Sequence, residues 1–300
     1  MAAKPKIVFF GSPAFGQVIL NKLLDEKHRV DAVVTQPDRS RGRGRKKLPT
    51  PVKITAKENK ITAYTPENRK QLSDLTPRLK RRKPDLFTVA SYGMIIPKEI
   101  LEIATRGALN VHPSLLPLYR GPSPIQTAIL EGEEKTGVTI ILMDEEMDHG
   151  PILSQKEVPI AQDDNAQTLT AKLAYFGGEL LTETIDKHVK GETTPKPQEH
   201  EKATYTKLIK KEDGRVDLET MSNTKIDRMI RAYTPWPGVW ATVGEMATQL
   251  ERELKNKKHK HLRLKLLSAK QENGVLALET VQVEGKKPIS FQDFVKGYLQ

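Results

Sequence analysis

The sequence predicts an α/β fold: a doubly wound, mostly parallel sheet with helices on both faces, followed by a small β-rich domain. Three observations carry this expectation. Strand-like apolar runs alternate with stretches of helical periodicity through the first half of the chain. A segment rich in Pro, Thr and charge, "KGETTPKPQEHEKATYTK", then breaks the pattern at residues 190–207. Beyond it lie short strands of alternating polarity bounded by Gly and Pro.

Taken in order, "KIVFF" (Lys6 to Phe10) reads as the first buried strand. Basic residues precede it, as in an export signal, but its apolar part is only Ile7 to Phe10 and Gly-Ser-Pro stops it. Phe15 to Lys27 places Val18, Leu20, Leu23 and Leu24 near helical spacing, and Val30 to Thr35 returns to a strand. The rhythm continues through strands at Asp85 to Ser91 and Ala108 to His112, a helix at Pro124 to Gly132 and a strand at Gly137 to Met143. A long helix covers Ala166 to Val189. In such sheets ligands lie beyond the carboxyl ends of strands, so the segments just after strands hold the candidate chemistry.

Residues 1–189 form the first expected domain, 190–204 a linker and 205–300 the second domain. In the second, "IDRMIRAYTPWPGVW" reads as a helix ended by a Pro-Trp-Pro turn. The strands "VWATV", "HLRLKLLSA" and "GVLALETVQV" and a last helix in "SFQDFVKGYL" suggest a small barrel. The basic run Glu251 to Lys265 reads either as a hairpin edge protected by lysines or as an RNA contact.

Composition narrows the function classes. With no cysteine, disulfides, thiolate metal sites and a Cys nucleophile are excluded, and a reducing, cytoplasmic setting is expected. No apolar run approaches the roughly eighteen residues of a membrane span, so a soluble protein, read as a monomer, is expected. A net charge of +11 favours a polyanionic partner. The basic residues concentrate: six of the nine from Arg39 to Lys47 are cationic, with two glycines among them, which reads as a flexible basic loop. A second cluster, Arg78 to Lys83, ends a helix, where cations complement the dipole.

The candidate chemistry begins in "ALNVH". Alternate residues of a strand share a face, so Asn110 and His112 point together while Val111 packs opposite, and Pro113 ends the ladder. An amide donor and an imidazole at one place could stabilise charge developing on a carbonyl oxygen. A carboxylate is expected from the end of the next strand, in "DEEMDHG"; Asp148 is the choice, because Gly150 lets the chain turn sharply behind it. A His paired with a carboxylate is held in one tautomer and can exchange protons. His149 is expected to face solvent. The acids match neither an EF-hand nor His-Glu-x-x-His, so no metal is expected. "GSPAFG" (Gly11 to Gly16) sits where phosphates often bind but fits neither dinucleotide nor P-loop spacing, and no Gly-x-Ser-x-Gly elbow is present.

Together, "NVHPSLLPLYRGPSPIQ" and the later "MDHG" resemble the signature of the formyltransferase superfamily that uses 10-formyltetrahydrofolate. The segments "FFGSPAFG", "TQPDRSRGRGRKKLPTPVK", "ASYGMIIP", "TYTKL", "RAYTPWPGVW" and "VEGKKPISFQDFVKGY" are similar to the branch that formylates methionyl-tRNA, in the same order through both domains. The resemblance implies a Rossmann-like catalytic domain and an open barrel of the oligonucleotide-binding (OB-like) type. It implies formyl transfer from 10-formyltetrahydrofolate, as co-substrate, to the amine of initiator methionyl-tRNA. Asn110, His112 and Asp148 match the catalytic positions. Tyr92, Met94, Ile95, Ile96, Ser114, Leu115, Leu116, Pro117, Asp144 and Met147 correspond to the folate pocket. Arg39, Arg41, Arg43, Arg45, Lys46 and Lys47 correspond to the tRNA-binding loop. The chain departs from the family in a shorter C-terminal part, which leaves barrel closure open, and in His149, where a small residue is usual. The alternatives are a formyltransferase acting on a sugar-nucleotide or ribonucleotide amine, and a noncatalytic RNA-binding protein of the same fold.

Overall fold

The apolar runs of the first half assemble into one seven-stranded sheet in a computed structural model that describes residues 4–41, 46–272 and 275–300. In chain order its parts are β1 (Lys6–Gly11), α1 (Ala14–Asp25), β2 (Arg29–Val34), β3 (Arg39–Arg41), β4 (Lys46–Leu48), α2 (Pro51–Glu58), β5 (Thr62–Tyr64), α3 (Arg69–Ser73), α4 (Thr76–Arg82), β6 (Leu86–Ala90), α5 (Lys98–Leu101) and β7 (Ala108–His112). Then follow α6 (Pro124–Glu131), β8 (Lys135–Leu142), β9 (Ile152–Pro159) and α7 (Ala166–Val189). The strand order is β5-β2-β1-β6-β7-β8-β9. The first five of these pair in parallel, each strand following a crossover. The chain leaves that rule at β8, which runs antiparallel to β7 with His112 opposite Thr139 and Leu109 opposite Leu142.

Burial on both faces explains the near-continuous apolar strands: Val8, Phe10, Val34, Phe87 and Val89 lie in one core cluster with Leu72, Leu79 and Ile100 from the covering helices. In α1 the face turned inward is Phe15, Ile19, Leu20 and Leu23; Val18 stays exposed, one position off the buried stripe. "GSPAFG" owes its glycines to packing. A Cβ on Gly11 or Gly16 would sit 2.8 Å from the Ala90 carbonyl oxygen, and Ser12 donates its hydroxyl to the Tyr92 carbonyl at 3.1 Å. Short helices begin where side chains cap them: Thr50 accepts from Lys53 N–H with Pro51 in the first turn, and Asn68 accepts from Gln71 N–H.

The chain divides into two compact units. The first comprises Met1–Gly121, Thr136–Pro159 and Thr170–Tyr205; the second takes Pro122–Lys135, Ile160–Leu169 and Thr206–Gln300. The second unit adds α8 (Asn223–Ala232), β10 (Val239–Thr242), α9 (Val243–Gln249), β11 (Arg263–Glu272), β12 (Val275–Val283), β13 (Ile289–Ser290) and α10 (Phe291–Tyr298). Its sheet is four-stranded and antiparallel, in the order β10-β11-β12-β13 with β10 and β13 as edges. Helix α9 was not legible as a helix in "VGEMATQ", yet Thr242 and Glu245 form a reciprocal capping box there. The basic run after it is not a hairpin edge: residues 251–262 are a loop with one tight helical turn at Lys257–His259, and β11 begins only at Arg263.

Candidate active site

Asn110 and His112 project from the same face of β7, as strand alternation requires, and the loop 113–121 follows directly. That loop is held from within. Ser114 donates its hydroxyl to the Leu118 carbonyl at 2.6 Å, Thr139 of β8 donates to the Ser114 carbonyl at 2.6 Å, and Gln155 of β9 donates to the Leu116 carbonyl at 2.9 Å. The Leu116–Pro117 peptide is cis. His112 is 4 % exposed, and its Nε2 lies 2.9 Å from the Tyr119 carbonyl oxygen. An acceptor there requires the proton on Nε2, so the loop fixes the ring and leaves Nδ1 as the nitrogen facing the site.

Asp148 meets both residues. Its Oδ1 accepts from Asn110 Nδ2 at 3.2 Å and stands 3.4 Å from His112 Nδ1, while its Oδ2 accepts the Gly121 N–H at 2.8 Å. It does not arrive from a strand tip beside that of β7, as parallel neighbours would have delivered it. Because β8 is antiparallel, its carboxyl end lies opposite the start of β7, and the loop 143–150 carries the carboxylate back to the face bearing Asn110 and His112. The turn is demanding. Asp148 adopts φ 53°, and a Cβ on Gly150 would lie 1.9 Å from the Leu142 carbonyl oxygen.

His149 does not face solvent. Its ring stacks on that of His200 with centroids 4.0 Å apart and planes 6° apart, and its Nδ1 lies 2.6 Å from Asp144 Oδ2. His200 comes from the stretch expected to be a linker, which is instead bound to the site's supporting loops. Tyr119 N–H donates to Thr204 Oγ1 at 2.8 Å, and Arg120 N–H donates to the Thr204 carbonyl at 2.9 Å. Gln198 contacts the Asp148 turn directly. Sequence reading missed Gln198 and His200, along with the Tyr119 carbonyl and the Gly121 N–H, because nothing local marks a residue whose role is to bond a loop fifty positions away.

The residues expected to hold a folate separate into two groups. The side chains of Tyr92, Ile96, Ser114 and Leu116 are buried, and Tyr92 and Ile96 belong to the core cluster. Burial pushes the Tyr92 hydroxyl well above the usual tyrosine range. Ile95 and Met147 are 72 % and 57 % exposed, on the loops that follow β6 and β8. Leu115, Pro117 and Asp144 are half-buried, and Met94 packs partly against the core. Lys98, at the start of α5, pairs with Glu145 and ties the segment after β6 to the loop that carries Asp144, Met147 and Asp148.

The two ends of the basic stretch are strands: β3 and β4 pair antiparallel with Arg39 opposite Leu48 and Arg41 opposite Lys46. Arg39 is exposed and bonds Gln36 at 3.1 Å, and Lys47 is exposed. Arg43 and Arg45 lie outside the described residues. Among the described residues no group of three or more His, Cys, Asp or Glu could hold a metal ion, and no helix is long and apolar enough to cross a membrane.

Residues 5–185 match the family model "Formyl transferase", and residues 208–299 match "Formyl transferase, C-terminal domain". The chain is 42 % identical to a methionyl-tRNA formyltransferase of Roseiflexus sp. over 317 aligned residues, 97 % of this chain and 92 % of that one. It is 39 % identical to the enzyme of that name from Sulfurihydrogenibium sp., over 98 % of this chain and 97 % of the relative. Among solved structures, HypX of Aquifex aeolicus in complex with tetrahydrofolic acid superposes with a TM-score of 0.65 at 18 % identity. That alignment covers 98 % of this chain but 48 % of HypX, so it speaks to the fold, and the chain spans about half of that protein's length.

Proposed function

The chain belongs to the formyltransferase family, and from that premise we propose that it transfers the formyl group of 10-formyltetrahydrofolate to the α-amine of methionyl-tRNA, with Asn110, His112 and Asp148 as its catalytic residues. The observation that carries the reading is the convergence of these three side chains, with Asp148 Oδ1 within 3.2 Å of the amide and 3.4 Å of the imidazole.

When bound, the folate co-substrate supplies an electrophilic formyl carbon. Exposed apolar Ile95 and Met147, on two loops tied together through Lys98 and Glu145, suit a flat ligand of that kind. Attack by an amine places negative charge on the formyl oxygen and positive charge on the amine. Asn110 Nδ2 has two N–H groups; one goes to Asp148, and the other is available to the developing oxyanion. His112, fixed through Nε2, presents Nδ1 beside the Asp148 carboxylate, so a proton leaving the amine is held at Nδ1 with its charge offset by Asp148, and returns to the folate N10 as the bond from N10 to the formyl carbon breaks and tetrahydrofolate leaves. Fixed donors lose little freedom when the reactants arrive, which favours the transition state over the ground state.

The first unit serves as catalytic domain in this reading. The cations at 39, 41, 43, 45, 46 and 47 take the tRNA phosphates, and the second unit makes tRNA contacts of its own. The setting is the cytoplasm, with the chain acting as a monomer on initiator methionyl-tRNA. The test is a substrate panel. With 10-formyltetrahydrofolate, methionyl-tRNA should be formylated while free methionine and amino sugar nucleotides are not; preferential formylation of a sugar nucleotide would overturn the substrate assignment.

A further inference from the structure

The geometry points to Gln198 as a positioning residue for formyl transfer, one that holds the Asp148 turn in its working shape; the inference rests on the role given above to Asp148. Gln198 is 5 % exposed and sits between a deeply buried cation of the catalytic unit and the turn itself. That cation, Arg120, is 1 % exposed, and its Nε and Nη2 both donate to Gln198 Oε1, at 3.2 and 2.6 Å. A guanidinium has only donors, so it dictates which end of the amide faces it. The carbonyl end must meet Arg120, and the NH2 end must point away.

Pointed away, Gln198 Nε2 donates to two carbonyl oxygens of one turn, Asp148 at 2.9 Å and Gly150 at 2.7 Å. Asp148 is in the left-handed region, which a non-glycine residue adopts at a cost unless its surroundings hold it there. Two bonds from a buried, pre-oriented amide supply that hold. The direction in which the Asp148 carboxylate leaves the backbone depends on this conformation, and so does its reach to Asn110 and His112.

The rest of the guanidinium anchors the arrangement. Nη1 donates to Tyr205 Oη at 3.2 Å, with the charge 5.9 Å from the Tyr205 ring centroid, and Nη2 donates to His200 Nδ1 at 2.9 Å. His200 in turn stacks on His149, whose Nδ1 meets Asp144 Oδ2, so the turn is braced at its backbone and at a neighbouring ring. Glutamate in place of Gln198 would keep the acceptor for Arg120, and with a stronger charge-assisted bond, but would turn a lone pair toward both carbonyls. The donor function can therefore be removed without removing the anchor.

The experiment compares Gln198→Glu and Gln198→Met in the full chain, each alone and with Asp148→Asn, by single-turnover and steady-state formylation. Expected are an intact melting transition in at least one of the two, kcat lower by about tenfold or more, and KM for both substrates within about threefold of the parent. The pH profile of kcat should be displaced. On the Asp148→Asn background the same replacement should cost less than about twofold, because its effect passes through the missing carboxylate. Unchanged kcat in a folded variant, or an equal loss on the Asp148→Asn background, would overturn the assignment. Loss of folding in both variants would assign Gln198 to stability alone and overturn it too. Full activity of Asp148→Asn by itself would instead refute the role of Asp148, a separate failure.

Discussion

Asp148 Oδ1 lies 3.4 Å from His112 Nδ1 while its second oxygen accepts the Gly121 N–H, so one carboxylate both faces the imidazole and closes the loop that carries the imidazole's other anchor. The shape of the Asp148 turn therefore sets where the carboxylate stands against Asn110 and His112.

Gly150→Ala would place a Cβ 1.9 Å from the Leu142 carbonyl oxygen, a backbone atom that cannot move aside cheaply. The variant should lose about 1–3 kcal/mol of stability, as overpacked sites do, and its folded fraction should turn over more slowly because the turn is displaced. Urea midpoints and kcat measured on the same preparation check both effects. Native stability together with native turnover would remove the turn from the account.

Replacing the cations of the 39–47 segment should act on tRNA and not on the folate. For Arg43→Ala, and more so for a variant lacking Arg39, Arg41 and Lys47 together, affinity for methionyl-tRNA should fall. The slope of log affinity against log salt should flatten by about one for each phosphate no longer neutralised. Binding titrations at several salt concentrations measure this, and a slope equal to the parent's would make the segment a bystander.

Stability should fall on mild acidification because of His28. Burial is the largest of the causes that hold its pKa below the ordinary 6.5, with Lys4 nearby adding to the effect. The unfolded chain therefore binds a proton near pH 6.5 that the folded chain binds only at lower pH. This contribution is fully present above that value and is lost as pH falls toward the depressed folded one. His28→Phe should reduce the difference in urea midpoint between pH 7.5 and pH 5.5; an unchanged difference would mean that His28 is not among the linked groups.

Much of this was legible in the residues. Alternation in "ALNVH" placed Asn110 and His112 on one face, and the long helix at Ala166–Val189 and the strand starts near Lys6 and Ala108 follow directly from apolar periodicity. What escaped was set by tertiary contact. The direction of β8 is not encoded in its own apolar run, since a buried strand reads the same whichever way it is laid, and with it went the route by which Asp148 reaches β7. Residues 190–204 look like a linker because they are polar, charged and poor in apolar side chains, yet Gln198 bonds the Asp148 turn and Thr204 bonds the Tyr119–Arg120 backbone. Ser114 and Tyr92 match a family pattern in sequence, and only the fold reveals that their side chains are buried.

The central claim is that Asn110, His112 and Asp148 act as one unit, and single-turnover formylation of methionyl-tRNA by the three single alanine variants and the triple variant tests it most directly. Each single replacement should cost at least about a hundredfold, and the triple variant should fall no more than about tenfold below the weakest single one, because members of a cooperating set do not add. Single variants within a few-fold of the parent, or losses that multiply through to the triple variant, would contradict it.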